Sequence, residues 1–241
     1  MSAIRRTGDG RGRLGSRLSG LAVAVGCVLF LGGFAWAAVV YRPYTVPTGS
    51  MTPTVNAGDR VLAQRVDGGE VRRGDVVVFT DKAWGDMPMV KRVVGTGGDR
   101  IVCCDKGRLT VNGKRVEEPY LQADNSVSMT AFTAAVPEGS LFLLGDDRQV
   151  SQDSRVHLEE AGQGSVPRSA VQARVDAVAW PLDGMIGRPQ SFAALPGGIS
   201  SEGPLKLQLG AAAAGVLLIL GGAVYGPVAA RSARSKAKRN K

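Results

Sequence analysis

With 241 residues, the chain has room for one domain of about 150 residues with its own core, plus appended segments. Its formal net charge of +9 alone would suit nucleic acid, but the charge sits in two tails, +4 before Leu18 and +6 after Ala230, so the remainder carries −1. That distribution excludes a nucleic-acid-binding face, and three cysteines without a ligand-spaced Cys/His set exclude a disulfide framework and a zinc site, so neither metal nor cofactor is expected.

The first tail, 1–17, is basic and abuts 18–41, about 24 residues without charge and long enough to cross a ~30 Å hydrocarbon core. Ala35-Trp36-Ala37 raises the alternative of a cleavable leader, but the apolar region of a leader runs roughly 7–15 residues, so 18–41 is read as an uncleaved transmembrane helix. A second uncharged stretch, 207–230, holds Val216-Leu217-Leu218-Ile219-Leu220 and runs into a second basic tail, 231–241. Basic flanks mark the cytoplasmic side. Both termini are therefore expected in the cytoplasm of a two-pass protein of the plasma membrane, with 42–206 outside and the lipid bilayer as a partner.

The segment 42–189 reads as mostly β. Apolar, β-branched runs recur at 60–66, 75–80, 89–95, 100–102, 109–111, 141–144 and 171–180, and Asn112-Gly113 marks a hairpin. No amphipathic helix interrupts them, so an antiparallel β domain with one transmembrane helix at each end is expected. Residues 190–206, rich in Gly, Ser and Pro, read as a linker to the second span. The adjacent Cys103-Cys104 could form a vicinal disulfide or remain two thiols.

Chemistry concentrates in two places. Ser50 lies in a Gly-Ser-Met turn between Pro47 and Pro53, which can aim a hydroxyl and offer the Ser50 N–H to a developing oxyanion. Nine residues after Tyr41, it lies at most about 30 Å beyond the membrane boundary. Lys91 sits in an apolar strand, sharing a face with Met89 and Val93, whereas Arg92 shares the other with Val90 and Val94. A solvated lysine titrates near 10.4 and holds almost no free amine at neutral pH, so a basic Lys91 requires apolar burial.

TGSMTPT at 48–54, VKRVVGTGGDRI at 90–101 and GDDRQVSQDSR at 145–155 follow an amino-terminal span in that order. With NGKRVEEPYL at 112–121, GSVP at 164–167 and Trp180-Pro181, they resemble the motifs of type I signal peptidases over nearly all of 43–181. The resemblance implies an antiparallel β peptidase domain of the type shared with SOS repressors. It also implies a membrane-bound serine endopeptidase that removes signal peptides from exported preproteins with small residues before the cut. By motif position it makes Ser50 the nucleophile and Lys91 the general base. Thr48 joins the Ser50 N–H in an oxyanion hole, and Ser151 orients the lysine. Asp153, Arg155, Asp146 and Arg148 are supporting charges, and Asp147 stands where the family usually has asparagine. A self-cleaving repressor would carry a DNA-binding domain where this chain has a tail and a span. A sortase would need a catalytic cysteine and histidine. Of the remaining alternatives, a Ser50–His157 triad is disfavoured because His157 to Gly164 reads as a polar loop insertion, a Cys103 or Cys104 nucleophile because no histidine partner is in a recognisable setting, and a non-catalytic binder of exported chains because Ser50 and Lys91 are intact.

Overall fold

The computed structural model of the chain describes residues 10–105, 107–122 and 127–239. Arg5, Arg6 and Asp9 of the first basic tail and Lys241 of the second lie outside the described residues. The chain divides into a helical unit, Met1–Val39 with Pro204–Lys241, and a β unit, Val40–Gly203.

In the helical unit, α1 spans Gly10–Val40 and α2 spans Leu205–Arg239. Within them, Gly15–Val40 and Leu205–Val228 are long and apolar enough to cross a membrane. The two helices run antiparallel and touch through positions spaced by seven residues. Ser19 Oγ donates to the Gly222 carbonyl at 2.7 Å, Gly26 faces Gly215, and Gly33 faces the Gln208 backbone. A Cβ on Gly26 would come within 2.8 Å of the Gly215 oxygen, so small residues set how closely these backbones approach. A seven-residue repeat keeps such a seam on one side of each helix.

The β unit contains β1 (Tyr41–Thr45), β2 (Arg60–Gln64), β3 (Val76–Phe79), β4 (Met89–Thr96), β5 (Arg100–Asp105) and β6 (Arg108–Val111). They are followed by β7 (Lys114–Arg115), β8 (Phe132–Ala135), β9 (Ser140–Leu144), β10 (Val166–Pro167), β11 (Val171–Trp180) and β12 (Gly184–Met185). Every pairing is antiparallel, as the sequence pattern suggested. The large sheet has the order β1-β2-β11-β3-β4-β9-β10, with β12 beside β11, and a smaller sheet has the order β7-β6-β5-β8. The β6–β7 hairpin turns at Asn112-Gly113, with φ of 54° and 77°, the positive angles that the tight turn demands. β1, β8, β10 and β12 were not expected. β1 contains Pro43, which cannot donate to a ladder and is tolerated because β1 is the sheet's edge.

Three apolar clusters follow from strand alternation. One face of the large sheet buries Val61, Val76, Val78 and Val175 with Met51 and Val55 of the loop after β1. The other buries Val77, Phe79, Val93, Leu141 and Leu143. The alternate residues of β9, Phe142 and Leu144, join Ile101, Leu109 and Val111 of the small sheet. In 190–206, Phe192 and Leu195 are buried in that third cluster. Arg188, paired with both Asp75 and Asp176, ties the chain before it to the large sheet. Cys103 and Cys104 of β5 are joined as a vicinal disulfide.

Candidate active site

Ser50 is carried by the long connection from β1 to β2. Its base is closed by hydrogen bonds from Val46 N–H to the Asp59 carbonyl (2.9 Å) and from Gly58 N–H to the Val46 carbonyl (2.7 Å). Its tip is a tight turn, Thr52 N–H donating to the Gly49 carbonyl at 2.9 Å. Met51 and Val55 pair with each other and are fully buried, so apolar anchoring of Met51 holds the partly exposed Ser50 at the rim. Met51 belongs to the core.

Lys91 lies in β4 opposite Val77 of β3, while Arg92 lies opposite Val76. Lys91 is only 4 % exposed, and its Nζ lies 2.8 Å from Ser50 Oγ. Among the described residues it forms no ion pair. Burial therefore dominates its protonation: loss of hydration lowers its pKa to about 8, and the more distant Asp153 and Asp146 oppose this only in part. The Thr48 hydroxyl lies 3.4 Å from Ser50 Oγ.

The loop after β9 closes over this pair. Asp147 N–H donates to the Ser50 carbonyl at 3.1 Å, and the Asp147 carbonyl accepts from Ser151 N–H at 3.1 Å. The Asp147 carboxylate accepts from Gln149 N–H at 3.2 Å, so the aspartate side chain stabilises this turn by bonding the backbone two residues on. A Cβ on Gly145 would collide with Ser151 Oγ and with the Ser50 carbonyl, so glycine alone permits this approach. Ser151 is buried and its hydroxyl has no hydrogen-bond partner among the described residues, so the expected contact to Lys91 is not formed here. An unsatisfied buried hydroxyl beside the pair is a donor and acceptor in waiting.

The supporting charges are assembled as three separate braces. Asp153, fully buried, accepts from Gly145 N–H at 3.0 Å and from Arg155 Nε and Nη2 at 2.8 Å each. Asp146 accepts from Arg92 Nε at 2.9 Å and Nη2 at 2.6 Å, and from Thr54 Oγ1 at 2.5 Å. Arg148 donates to the Gly145 carbonyl at 2.9 Å and pairs with Glu118. His157 is elsewhere: it stacks on Trp84 with centroids 4.7 Å apart and bonds Glu160 at 2.6 Å. Cys103 and Cys104 belong to the small sheet. His157 therefore supplies no base for Ser50, and the disulfide leaves neither cysteine a free thiol to act as nucleophile.

A cleft of about 430 Å³ opens onto the pair, with Tyr44 to Thr48 on one wall and Met87 to Val90 on the other. β4 is paired with β9 only from Arg92 onward, so 89–91, paired with β3 on one side, has no strand paired on the other among the described residues. Among the described residues no cluster of His, Cys, Asp or Glu is arranged to hold a metal ion.

The family model described as signal peptidase, peptidase S26, matches residues 18–180 of this chain. The chain belongs to the signal peptidase family. Over 126 residues it is 37 % identical to signal peptidase I U of Bacillus subtilis (strain 168), covering 48 % of this chain and 66 % of that protein. It is 34 % identical to signal peptidase I of Bacillus licheniformis over 61 % of this chain and 80 % of that one. It is 31 % identical to signal peptidase IB of Staphylococcus aureus (strain COL) over 67 % and 87 %, respectively. A solved signal peptidase I from Enterococcus faecalis V583 is similar over 43 % of this chain and 94 % of its own, at 25 % identity and a TM-score of 0.35. Like its family, the chain is a membrane-anchored serine endopeptidase that removes signal peptides, and its substrates are preproteins that carry them. Within this signal peptidase, sequence reasoning missed Thr54, Glu118 and Tyr120, whose ring lies 3.9 Å from the Arg92 guanidinium carbon. Thr54 and the EEPY run were inside quoted motifs, and the buried partners they meet were the missing information.

Proposed function

We propose that Ser50 is the nucleophile and Lys91 the general base of this peptidase. The observation that carries the reading is the 2.8 Å approach of a buried, unpaired amine to the Ser50 hydroxyl. The substrate's leader lies extended in the apolar cleft and adds a strand to the open edge of β4 at 89–91. Neutral Lys91 takes the Ser50 proton as Ser50 Oγ bonds to the scissile carbonyl carbon. The oxyanion is met by the Ser50 N–H and the Thr48 hydroxyl. As the C–N bond breaks, the Lys91 ammonium returns the proton to the leaving amine, and neutral Lys91 then activates the water that splits the Ser50 ester. Ser151, buried without a partner, receives a hydrogen bond from the ammonium while Lys91 carries the proton. Asp153 held by Arg155, Asp146 held by Arg92, and Arg148 held by Glu118 support the loop that carries Ser151 and meets the Ser50 carbonyl.

The cleft's side chains at Val46, Met87 and Met89 leave shallow apolar room, which favours small residues before the cut. The two basic tails support a two-pass arrangement in the plasma membrane. Both cytoplasmic tails (1–17 and 231–241) then flank spans at 18–41 and 207–230, with the catalytic segment 42–189 and its linker 190–206 outside and the lipid bilayer alongside. Nucleic acid has no part in it. Ser50→Ala and Lys91→Ala, purified as full chains, should each lower preprotein cleavage by roughly 10⁴-fold or more. Processing by either variant at the unsubstituted rate would overturn the dyad.

A further inference from the structure

A second cavity, of about 500 Å³, lies directly beyond the catalytic loop. Ser151 and Gln152 line it, and Gln152 also lines the cleft that holds Ser50 and Lys91, so the two spaces meet at one side chain. Their linings differ. The catalytic cleft is walled by Tyr44, Val46, Met87, Met89 and Val90. The second is walled on one side by 128–132 and on the other by Gln149, Gln152, Arg155 and Val156.

Arg148, at the back of this second cavity, is spent on Gly145, Val127 and Glu118, but other donors around it are free. Arg155 uses Nε and Nη2 on Asp153, leaving Nη1 without a partner among the described residues. The side-chain amides of Gln149 and Gln152 likewise have no partner among the described residues, and both residues are exposed. Met129, 79 % exposed, and Val156, 55 % exposed, supply apolar surface at the rim. A guanidinium edge and two amides spaced along an open channel fit the carbonyls and polar side chains of an extended peptide, not an apolar leader.

From this continuity we infer that the second cavity is the subsite for the amino end of the mature protein, the chain on the leaving side of the cut. The inference rests on the Ser50–Lys91 reading, which fixes the direction of the substrate. The apolar leader fills the apolar cleft up to Ser50. The leaving amine takes its proton from Lys91 on the side where Ser151 stands, and the chain attached to that amine continues past Gln152 into the second cavity, whose lining mixes polar groups with Met129, Phe132, Val156 and Leu158. Contacts made there, remote from the bond that breaks, are available to raise kcat/KM.

Two peptides with an identical leader portion test this, one ending one residue after the cut and the other extending about six residues, roughly 20 Å of extended chain. The full-length protein in detergent should cleave the longer peptide about tenfold faster in kcat/KM. Ala131→Trp, which fills the cavity from its rim, and Gln149→Trp should each bring the ratio of the two rates toward one. Equal rates for both peptides with the unsubstituted protein would overturn the inference without need of any variant. A parallel loss on both peptides in the variants would also overturn it. Cleavage of either peptide by Ser50→Ala would instead defeat the underlying dyad, so the two failures are distinguishable.

Discussion

The two faces of β4 carry neighbouring cations in opposite circumstances. Lys91 and Arg92 are both buried, 4 % and 1 % exposed, yet Arg92 is held by a two-point pair with Asp146 while Lys91 meets only a hydroxyl. Burial weakens the hold of both on a proton. Asp146 more than reverses the effect for Arg92, whose pKa ends above its usual value. For Lys91 nothing close reverses it, and its pKa falls to about 8. The same strand therefore makes one permanent structural cation and one reactive amine. What separates them is the placement of a single carboxylate.

The difference can be broken most forcefully at Lys91. Lys91→Met should abolish preprotein cleavage, a loss of about 10⁴-fold or more, yet raise the stability of the β unit. Unfolded lysine binds its proton up to pH 10.5 and the folded Lys91 only up to about 8, so burial costs stability below pH 8. That cost fades as pH rises toward 10.5. It amounts to about 3 kcal/mol at neutral pH, which bounds the gain expected in denaturant unfolding at pH 7. Arg92→Met should do the reverse and cost about 3–5 kcal/mol, because Asp146 is left buried without its cation. Thr48→Val removes a hydroxyl from the Lys91 side alone. It should lower kcat by about 10²-fold while leaving KM and the pH profile in place. The finest test is Asp153→Asn. Removing the negative charge that most opposes the lowering of Lys91 should move the rise of the pH–rate profile toward lower pH.

Much of this was legible in the sequence, for definable reasons. The strand alternation that put Lys91 and Arg92 on opposite faces of β4 depends only on period two, and the structure keeps it: Val90 packs with Val76 and Val78, Val93 with Val77 and Phe79. The antiparallel β domain between apolar helices followed from recurrent β-branched runs and from two uncharged stretches. β8 was not legible because Phe-Thr-Ala-Ala is too short and weakly branched to stand out, and only pairing with β5 makes it a strand. Phe192 and Leu195 were hidden by the Gly/Ser/Pro composition around them, which describes backbone freedom and not what two apolar side chains can reach. At the site, Ser50 and Lys91 stood out through motif order. The Thr54–Asp146–Arg92–Tyr120 assembly did not, because its members come from four separate segments and only the folded chain brings them together.

Lys91 must act as a neutral amine, and the pH dependence of kcat/KM for the full chain in detergent measures that most directly. Between about pH 5 and 10, with a preprotein substrate, the rate should rise tenfold per pH unit and level off near pH 8. A rate already flat from about pH 6 to 9 would contradict a lysine base at Ser50.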